Sequence, residues 1–297
     1  MVDTGWDTPE SFAALQRQVR EAGLNLKALG RIIITHFHPD HYGLAGRLRQ
    51  LSGAEIWLHQ AEKQFIESRY LRPQVLVQQM GEFLSANGVP QGELDVLQRA
   101  SLGMLRYVSP AMPDKMLSGG ERLSMGQFEF ELLWTPGHSP GHVCLYEPDK
   151  RILLCGDHLL PTITPHVGLH VQSRESPLDD YLDALDSISR LEIDIALPGH
   201  GPSFGRVKRR IEQIRHHHQE RKAAILGQVN REAKTAYQIA LGLPWVLESG
   251  GVGFQSLSSL DKRLAMTETL AHLESLRRER RVERLSQGTL SFYRRRD

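Results

Sequence analysis

The chain of 297 residues is 40% hydrophobic and 24% charged, and its 36 Lys and Arg residues nearly balance its 35 Asp and Glu residues. This composition predicts a soluble protein with a substantial core, and the length suggests two domains at roughly 150 residues each. No apolar run approaches the length of a membrane-spanning helix, so the sequence predicts neither an integral membrane protein nor a membrane partner.

Cys144 and Cys155 are the only cysteines, and each lies in an apolar, strand-like run. Two such cysteines are typical of reduced core residues in a cytosolic protein, although the sequence leaves a chance pairing open. The N-terminus also lacks the basic region and apolar stretch of a secretory leader. We therefore expect a cytoplasmic location.

The first predicted element that carries chemistry is a strand over residues 31–35, followed by potential metal ligands at His36, His38, Asp40 and His41. Side chains alternate along a strand and rotate around a helix, so these four cannot face one way on either element. They fit a loop that wraps around ions, with His36 and His38 directed at one metal and the Asp40-His41 pair at a second. Imidazole and carboxylate are suited to zinc, and also to iron or manganese.

A helical stretch over about residues 61–109 follows, with breaks at Pro73 and at residues 88–90. We interpret about residues 61–117 as a helical insertion that caps the site and carries substrate specificity. The alternative is a set of helices that merely packs on a sheet. Met and aromatic residues at helical spacing are more often core, but four could line the entrance. These are Tyr70, Met80, Phe83 and Met104.

Three later motifs share one design, in which a buried strand leads through a Gly or Pro turn to a ligand candidate. The strand over 128–134 precedes TPGHSPGH, which contains His138 and His142; a strand ending at Cys155 precedes Asp157 and His158; and the strand over 193–197 precedes PGHG, which contains His200. Active sites assembled from loops at strand ends have this pattern. The repetition makes a merely solvated or helix-capping histidine loop the weaker interpretation.

In chain order, THFHPDH, TPGHSPGH, GDH and PGHG resemble the motifs of the metallo-β-lactamase superfamily over about residues 1–205. The resemblance implies an α/β fold, the αββα four-layer sandwich, and two divalent metal ions, with zinc expected and iron or manganese as alternatives. It implies that the ligands are divided between the two metals and a bridge. The first metal takes His36, His38 and His138, the second takes Asp40, His41 and His200, and Asp157 bridges them. His142 and His158 are left over, and we expect them to orient ligands or to pack.

Residues 1–5 resemble the superfamily's early DTG strand end, whose Asp, here Asp3, supports the ligand loop from behind. Members usually place a hairpin before this strand, so either this chain begins inside a longer sequence or its first sheet lacks the opening strands. Because the loss of those strands would expose a sheet edge and part of the core, we expect an incomplete start.

Residues 206–297 are predicted to form a small helical domain that ends in a hairpin over 282–293 with a glycine in its turn. Helices over about 206–228, 233–241 and 260–279 precede the hairpin, an order that resembles the winged-helix tail of a superfamily branch containing endoribonucleases and thioester hydrolases. The first of these helices carries His216, His217 and His218, which we expect on a solvated or packing face because consecutive helical residues cannot all bind one ion.

Charge divides at the same boundary. Residues 1–205 carry 17 Lys or Arg and 25 Asp or Glu, a net charge of −8, whereas residues 206–297 carry 19 and 10, a net charge of +9. Such asymmetry is a recognised hint of an anionic partner.

The resemblance therefore predicts an enzyme, a metal-dependent hydrolase in which a metal-bridging hydroxide attacks the substrate. Asp157 would bridge the metals and Asp40 would orient the hydroxide, so both are the predicted catalytic residues. We favour a small-molecule acyl substrate, an ester, thioester or lactone. The alternative is an endoribonuclease whose basic C-terminal domain holds RNA, although basic residues alternate with Glu over 274–284. A third hypothesis gives the winged helix a role in DNA binding or in forming a homodimer.

Overall fold

Two β-sheets pack face to face at the centre of the computed structural model, which describes residues 1–247 and 250–296. The first sheet is parallel, and an isolated bridge joins Val2 to Ile33 at its edge. Its strands, in order, are β1 (Arg31–Ile33), β2 (Glu55–His59) and β3 (Lys115–Leu117). The second sheet is antiparallel except at its last pair. Its strands, in order, are β4 (Arg122–Met125), β5 (Phe128–Trp134), β6 (Val143–Glu147), β7 (Ile152–Gly156) and β8 (Ile195–Pro198).

Some helices cover the outer faces of the two sheets, and others pack mainly on one another. In chain order the helices are α1 (Pro9–Glu21), α2 (Pro39–Tyr42), α3 (Ala45–Ser52), α4 (Gln60–Ile66), α5 (Pro73–Ala86), α6 (Gln91–Arg99), α7 (Pro177–Ser189), α8 (Val207–Gln228), α9 (Ala236–Leu241) and α10 (Ser259–Arg278). Short 3₁₀ or π turns lie at Leu26–Ala28, Glu67–Leu71, Leu102–Tyr107 and Phe254–Ser256. Two hairpins complete the chain, β9 (Trp245–Leu247) with β10 (Gly250–Val252), and β11 (Val282–Gln287) with β12 (Leu290–Arg295).

The alternation of side chains on β1 separates two of the hydrophobic layers. Ile33 faces the second sheet and packs with Leu132 and Val143, whereas Ile32 and Ile34 face the helices outside the first sheet. A strand that is covered on both faces needs such a continuous apolar run. Helix α7 and the first half of α8 cover the far side of the second sheet. The predicted α/β arrangement of helices outside two stacked sheets is confirmed.

A separate helical core joins the insertion to the C-terminal elements. Met80 and Leu84 of α5 and Leu97 of α6 pack with buried residues of α8, α9, α10 and the terminal hairpin. Isolated helices bury one apolar stripe only by packing on a partner, and here each group of helices is the partner of the other. We call this set of buried residues, from Met80 to Tyr293, the helical core.

The hydrophobic packing does not separate at residue 205, the predicted boundary between the two domains. Helix α8 contributes Ile211 and Ile214 to the layer outside the second sheet and Ile225 and Leu226 to the helical core. The insertion is also shorter than the predicted 61–117, because β3 pairs in parallel with β2 as a strand of the first sheet. The division into two domains and the winged-helix assignment stay predictions. Within the two described ranges, no helix has both the length and the apolar character needed to cross a bilayer.

Candidate metal centre

The first group of predicted ligands lies in the loop between β1 and α2. Pro39 begins α2 immediately after His38, a position at which the missing N–H of proline costs nothing. Asp3 fixes the loop from behind, since its carboxylate accepts hydrogen bonds from Thr35 N at 2.7 Å and Thr35 Oγ1 at 2.8 Å. This agrees with the expected role of Asp3 and leaves the imidazoles of His36 and His38 directed at a common point.

Three histidine nitrogens converge there, and we call His36, His38 and His138 the first donor cluster. His138 Nε2 lies 3.2 Å from His36 Nε2 and 2.9 Å from His38 Nδ1. Its Nδ1 lies 2.8 Å from the carbonyl of His166, and because a carbonyl only accepts, the proton is on Nδ1 and Nε2 keeps a lone pair. Burial lowers the pKa of all three imidazoles, so the rings are neutral donors.

A second donor cluster, Asp40, His41 and His200, lies beside the first. His41 Nδ1 contacts Asp3 Oδ2 at 2.7 Å, and its Nε2 faces His200 Nε2 at 3.3 Å. His200 Nε2 lies 3.0 Å from Asp40 Oδ2. Hydrogen bonds to Asp157 and Asp40 raise the pKa of His200 to about 9, so this cluster attracts positive charge.

Asp157, at the end of β7, lies between the clusters. Its carboxylate oxygens are 3.3 Å from His41 Nε2, 3.5 Å from His200 Nε2 and 3.7 Å from His138 Nε2. Burial alone would raise the pKa of Asp157, but the neighbouring imidazoles of His200 and His41 outweigh it and hold the pKa far below its usual range. Asp157 Oδ1 is buried, yet it accepts no hydrogen bond from any part of the chain that the structure describes.

These donors fit divalent metal ions. Groups of three His and Asp side chains bring their ligand atoms within 4.8 Å of one another, and they use all seven predicted ligands. Neutral imidazole nitrogens that face each other, together with an unpaired buried carboxylate oxygen, are poorly stabilised by one another and well stabilised by a cation. Coordination by each side chain stays a prediction.

A cavity of about 260 Å³ adjoins the two clusters and includes His38, Asp40 and His138 in its wall. Its other walls come from the insertion, from α10, from Trp6 and from the segment that carries His166 and His170. Of the predicted entrance residues, Met80 and Met104 line it. Tyr70 instead donates a hydrogen bond to the carbonyl of Phe37, and Phe83 packs against the helical core.

Comparison with known proteins identifies this arrangement. The family model of the metallo-beta-lactamase superfamily matches residues 1–200. The chain belongs to the metallo-beta-lactamase superfamily. It is accordingly a metal-dependent hydrolase, and the resemblance of its four motifs to that superfamily is confirmed.

Relatives within the superfamily extend over the whole chain. A metallo-beta-lactamase family protein from Thermus thermophilus superposes with a TM-score of 0.82 at 32% identity, covering 99% of this chain and 89% of that one. Probable metallo-hydrolase YqjP of Bacillus subtilis (strain 168) is 24% identical over 99% of this chain and 89% of its own length. Hydroxyacylglutathione hydrolase GloC of Haemophilus influenzae is 29% identical over 52% of this chain and 64% of its own length.

The two leftover histidines lie behind the donor clusters of this superfamily site. His142 Nδ1 contacts Thr135 Oγ1 at 2.8 Å, and its Nε2 accepts a hydrogen bond from Asp157 N at 3.1 Å, which fixes the loop that carries Asp157. His158 is fully buried and packs edge-on against Tyr181, with ring centroids 5.0 Å apart. On α8, His218 is buried beside His272, whereas His216 and His217 are exposed.

Sequence reasoning missed Glu62, which joins the two loops of the first donor cluster. This fully buried carboxylate accepts hydrogen bonds from Phe37 N at 2.9 Å, Ser139 Oγ at 2.7 Å and Gly141 N at 2.5 Å. The signal was present, because Glu62 shares a helical face with Phe65 and Ile66 at spacings of three and four residues.

Gly199 explains one feature of the PGHG motif. A Cβ atom at this position would lie 2.5 Å from both Asp157 Oδ1 and His41 Cε1. Any larger residue would displace these two side chains, so the glycine permits β8 to approach the centre closely enough to deliver His200.

Proposed function

We propose that this superfamily member is a binuclear hydrolase that cleaves a small acyl ester, thioester or lactone. The first donor cluster would hold one ion, the second would hold the other, and Asp157 would serve both. The observation that carries the proposal is the position of the Asp157 carboxylate, which is within 3.7 Å of a histidine nitrogen from each cluster and has one buried oxygen without a hydrogen bond in the described residues.

Divalent ions bound there would supply a water of low pKa and would polarise the electrophilic oxygen of the substrate. The chain itself supplies orientation and proton transfer. Asp40 lines the cavity, its carboxylate lies 3.0 Å from His200 Nε2, and its side chain is 25% exposed. Asp40 is therefore placed to accept a proton on the substrate side and to pass it to solvent.

The shape of the cavity favours a small acyl substrate. Its volume of about 260 Å³ is near the lower end of ligand pockets, and leucine, valine and methionine side chains of the insertion form much of its wall. The partial relative from Haemophilus influenzae is named for hydrolysing hydroxyacylglutathione, a thioester, which supports the thioester among the proposed substrates.

The basic C-terminal residues support the same choice over RNA. Several of them pair with carboxylates, as in Arg221 with Glu268 at 2.8 Å and Lys222 with Glu279 at 2.6 Å. A cationic side chain that is already paired binds a phosphate less favourably than an unpaired cation does, because the existing ion pair must first be broken.

The proposal is tested by assaying metal-reconstituted protein against acyl thioesters, lactones and a single-stranded ribo-oligonucleotide. We expect thioester or lactone turnover, and we expect Asp157→Ala to reduce it by more than about 10³-fold because ligands of one centre act as a unit. Asp183→Ala, an exposed change on α7, is the matched control. Circular dichroism and metal analysis should show a folded variant with less bound metal.

Full turnover by Asp157→Ala would contradict the binuclear assignment. RNA cleavage that disappears in this variant, without thioester or lactone turnover, would replace the small acyl substrate by a nucleic acid.

A further inference from the structure

Two arginines line the cavity without a carboxylate partner. Arg69 and Arg263 both contribute to its wall, and no Asp or Glu oxygen of the described residues lies within the 4.0 Å of an ion pair from either guanidinium. On the same helix as Arg263, Arg277 pairs with Glu274 and Arg278 pairs with Glu175. The positive charges of Arg69 and Arg263, by contrast, are not balanced by an ion pair in the described part of the cavity wall.

Arg69 is held in place by neutral groups. Its Nε and Nη2 donate to Gln172 Oε1 at 3.2 and 3.0 Å, and its guanidinium lies 4.5 Å from the ring centroid of Phe37. Glu62 attracts it electrostatically, but that carboxylate is occupied by three other donors. Arg69 also lies close enough to the first donor cluster for its charge to contribute to the lowered pKa of His38.

Arg263, on α10, is the second arginine of the cavity wall. Its side chain forms no hydrogen bond or ion pair with the part of the chain that the structure describes. Burial and then the charge of Arg69 lower its pKa to about 10, so the two guanidinium groups repel each other in a partly desolvated space. Such an arrangement is unfavourable until an anion enters it.

One part of the remaining wall is apolar, formed by Leu76, Val77 and Met80 of α5 with Leu260 and Leu264 of α10. Polar side chains, among them Gln98, His166 and His170, line the rest. A ligand that is complementary to both the arginines and the apolar part of the wall must combine an oxyanion with a short hydrocarbon segment, because a polar chain would not be stabilised by apolar side chains.

We propose that Arg69 and Arg263 form an anion subsite that binds a carboxylate or phosphate group of the acyl substrate, beside a slot for its hydrocarbon chain. The inference rests on the proposed acyl hydrolase function and names its substrate class, a small anionic acyl compound. Arginine suits this role because its planar fork matches both oxyanions with paired hydrogen bonds. The helical core places Arg263, so the C-terminal region takes part in substrate selection.

A matched substrate pair tests the subsite. S-butanoyl-N-acetylcysteine and S-butanoyl-N-acetylcysteamine share the thioester and differ by one carboxylate. We expect metal-reconstituted wild-type protein to favour the anionic compound, and Arg263→Met to lower its kcat/KM by about 10- to 100-fold, as for the loss of a charge-assisted hydrogen bond. The neutral compound should change by less than about 3-fold. Arg278→Met removes the same charge from the same helix and should leave both values unchanged.

Calorimetric titration with butanoate, butyl phosphate and butanol provides a second readout. Both anions should bind more tightly than the alcohol, the tighter of them identifies the oxyanion, and Arg263→Met should remove the advantage. Because Arg263 has no side-chain partner to lose, Arg263→Met keeps the fold. Arg263→Lys retains the charge without the planar guanidinium group, so its affinity for the anions should lie between those of wild type and Arg263→Met.

The two proposals fail in different ways. Turnover of both thioesters with equal kcat/KM in wild type and Arg263→Met would overturn the anion subsite and leave the acyl hydrolase intact. Turnover of neither by metal-loaded wild-type protein would overturn the proposed function, and anion binding that depends on Arg263 would then remain as a property of the cavity.

Discussion

Glu62 shows how a single buried carboxyl group organises the centre. It accepts hydrogen bonds from the loop of His36 and His38 and from the loop of His138, and therefore fixes the spacing of the first donor cluster. Burial raises its pKa from 4.5 to about 7, against the opposing effect of its hydrogen bonds. The folded protein then holds a proton that the unfolded chain has already released.

Stability should consequently depend on pH through this residue. Between pH 4.5 and about 7 the folded state binds more protons at Glu62 than the unfolded state, so this contribution to the free energy of unfolding falls as pH rises. We expect the free energy of unfolding of wild type to fall by about 2 kcal/mol relative to that of Glu62→Gln between pH 5 and pH 8. Guanidinium denaturation at both pH values measures it.

Glu67→Gln, an exposed change in the next helical turn, controls for the loss of a charge and should show no such shift. Equal differences at pH 5 and pH 8 for Glu62→Gln would show that the carboxylate is ionised throughout this range.

The metal-binding candidates could be predicted from the sequence because each follows a strand in a short, distinctive motif. The structure brings all seven together, from His36 to His200. Glu62, Arg69 and Arg263 could not be predicted in the same way. Their roles depend on which residues from distant parts of the chain lie beside them in the folded protein. From sequence alone, an acidic or basic residue on a helix is expected to be solvated.

Among the elements, α10 has the greatest influence on the site. Its residues from Ala265 to Leu276 are all buried or nearly so; Ala271 packs outside the second sheet, and Leu270, Leu273 and Leu276 pack in the helical core. The same helix carries Arg263 and Thr267 to the cavity. Loosening this helix should therefore affect both stability and substrate binding.

Leu273→Ala tests that dependence. Leu273 is fully buried, and its truncation should lower the free energy of unfolding by about 2–5 kcal/mol through lost burial and a cavity. Denaturant titration measures the change. Leu24→Ala, at a leucine that is 66% exposed, should stay within about 0.5 kcal/mol. A similarly small effect at Leu273 would mean that α10 is not anchored by the helical core.

Helix and strand positions were largely predictable, whereas their partners were not. The predicted helix over 260–279 is observed at Ser259–Arg278, and the predicted terminal hairpin pairs as β11 with β12. Helical periodicity shows that Leu84 and Leu273 each face a core. It contains no information that these two residues, nearly 190 positions apart, face the same core.

The whole molecule depends on this shared core. A chain ending at residue 205 would lose α8, which covers the second sheet, and all C-terminal partners of α5 and α6. We expect it to be inactive, to bind a hydrophobic dye and to melt without one cooperative transition, whereas the full chain should melt cooperatively. Scanning calorimetry makes the comparison. A cooperative transition in the shortened chain would instead establish the predicted domain division.

The position of the helical core also sets an order of events during synthesis. Met80 and Leu84 leave the ribosome long before Leu273 and Tyr293, their companions in that core. At the usual rates of translation the interval is roughly 10–40 s, during which the apolar faces of α5 and α6 have no native cover. The last of the metal-ligand candidates, His200, is made a little past the middle of this interval, whereas Arg263 and the part of the cavity wall formed by α10 arrive near its end. A nascent chain is thus able to gather its metal ligands before it is able to select a substrate, and the uncovered insertion helices are the segment that a chaperone would meet first.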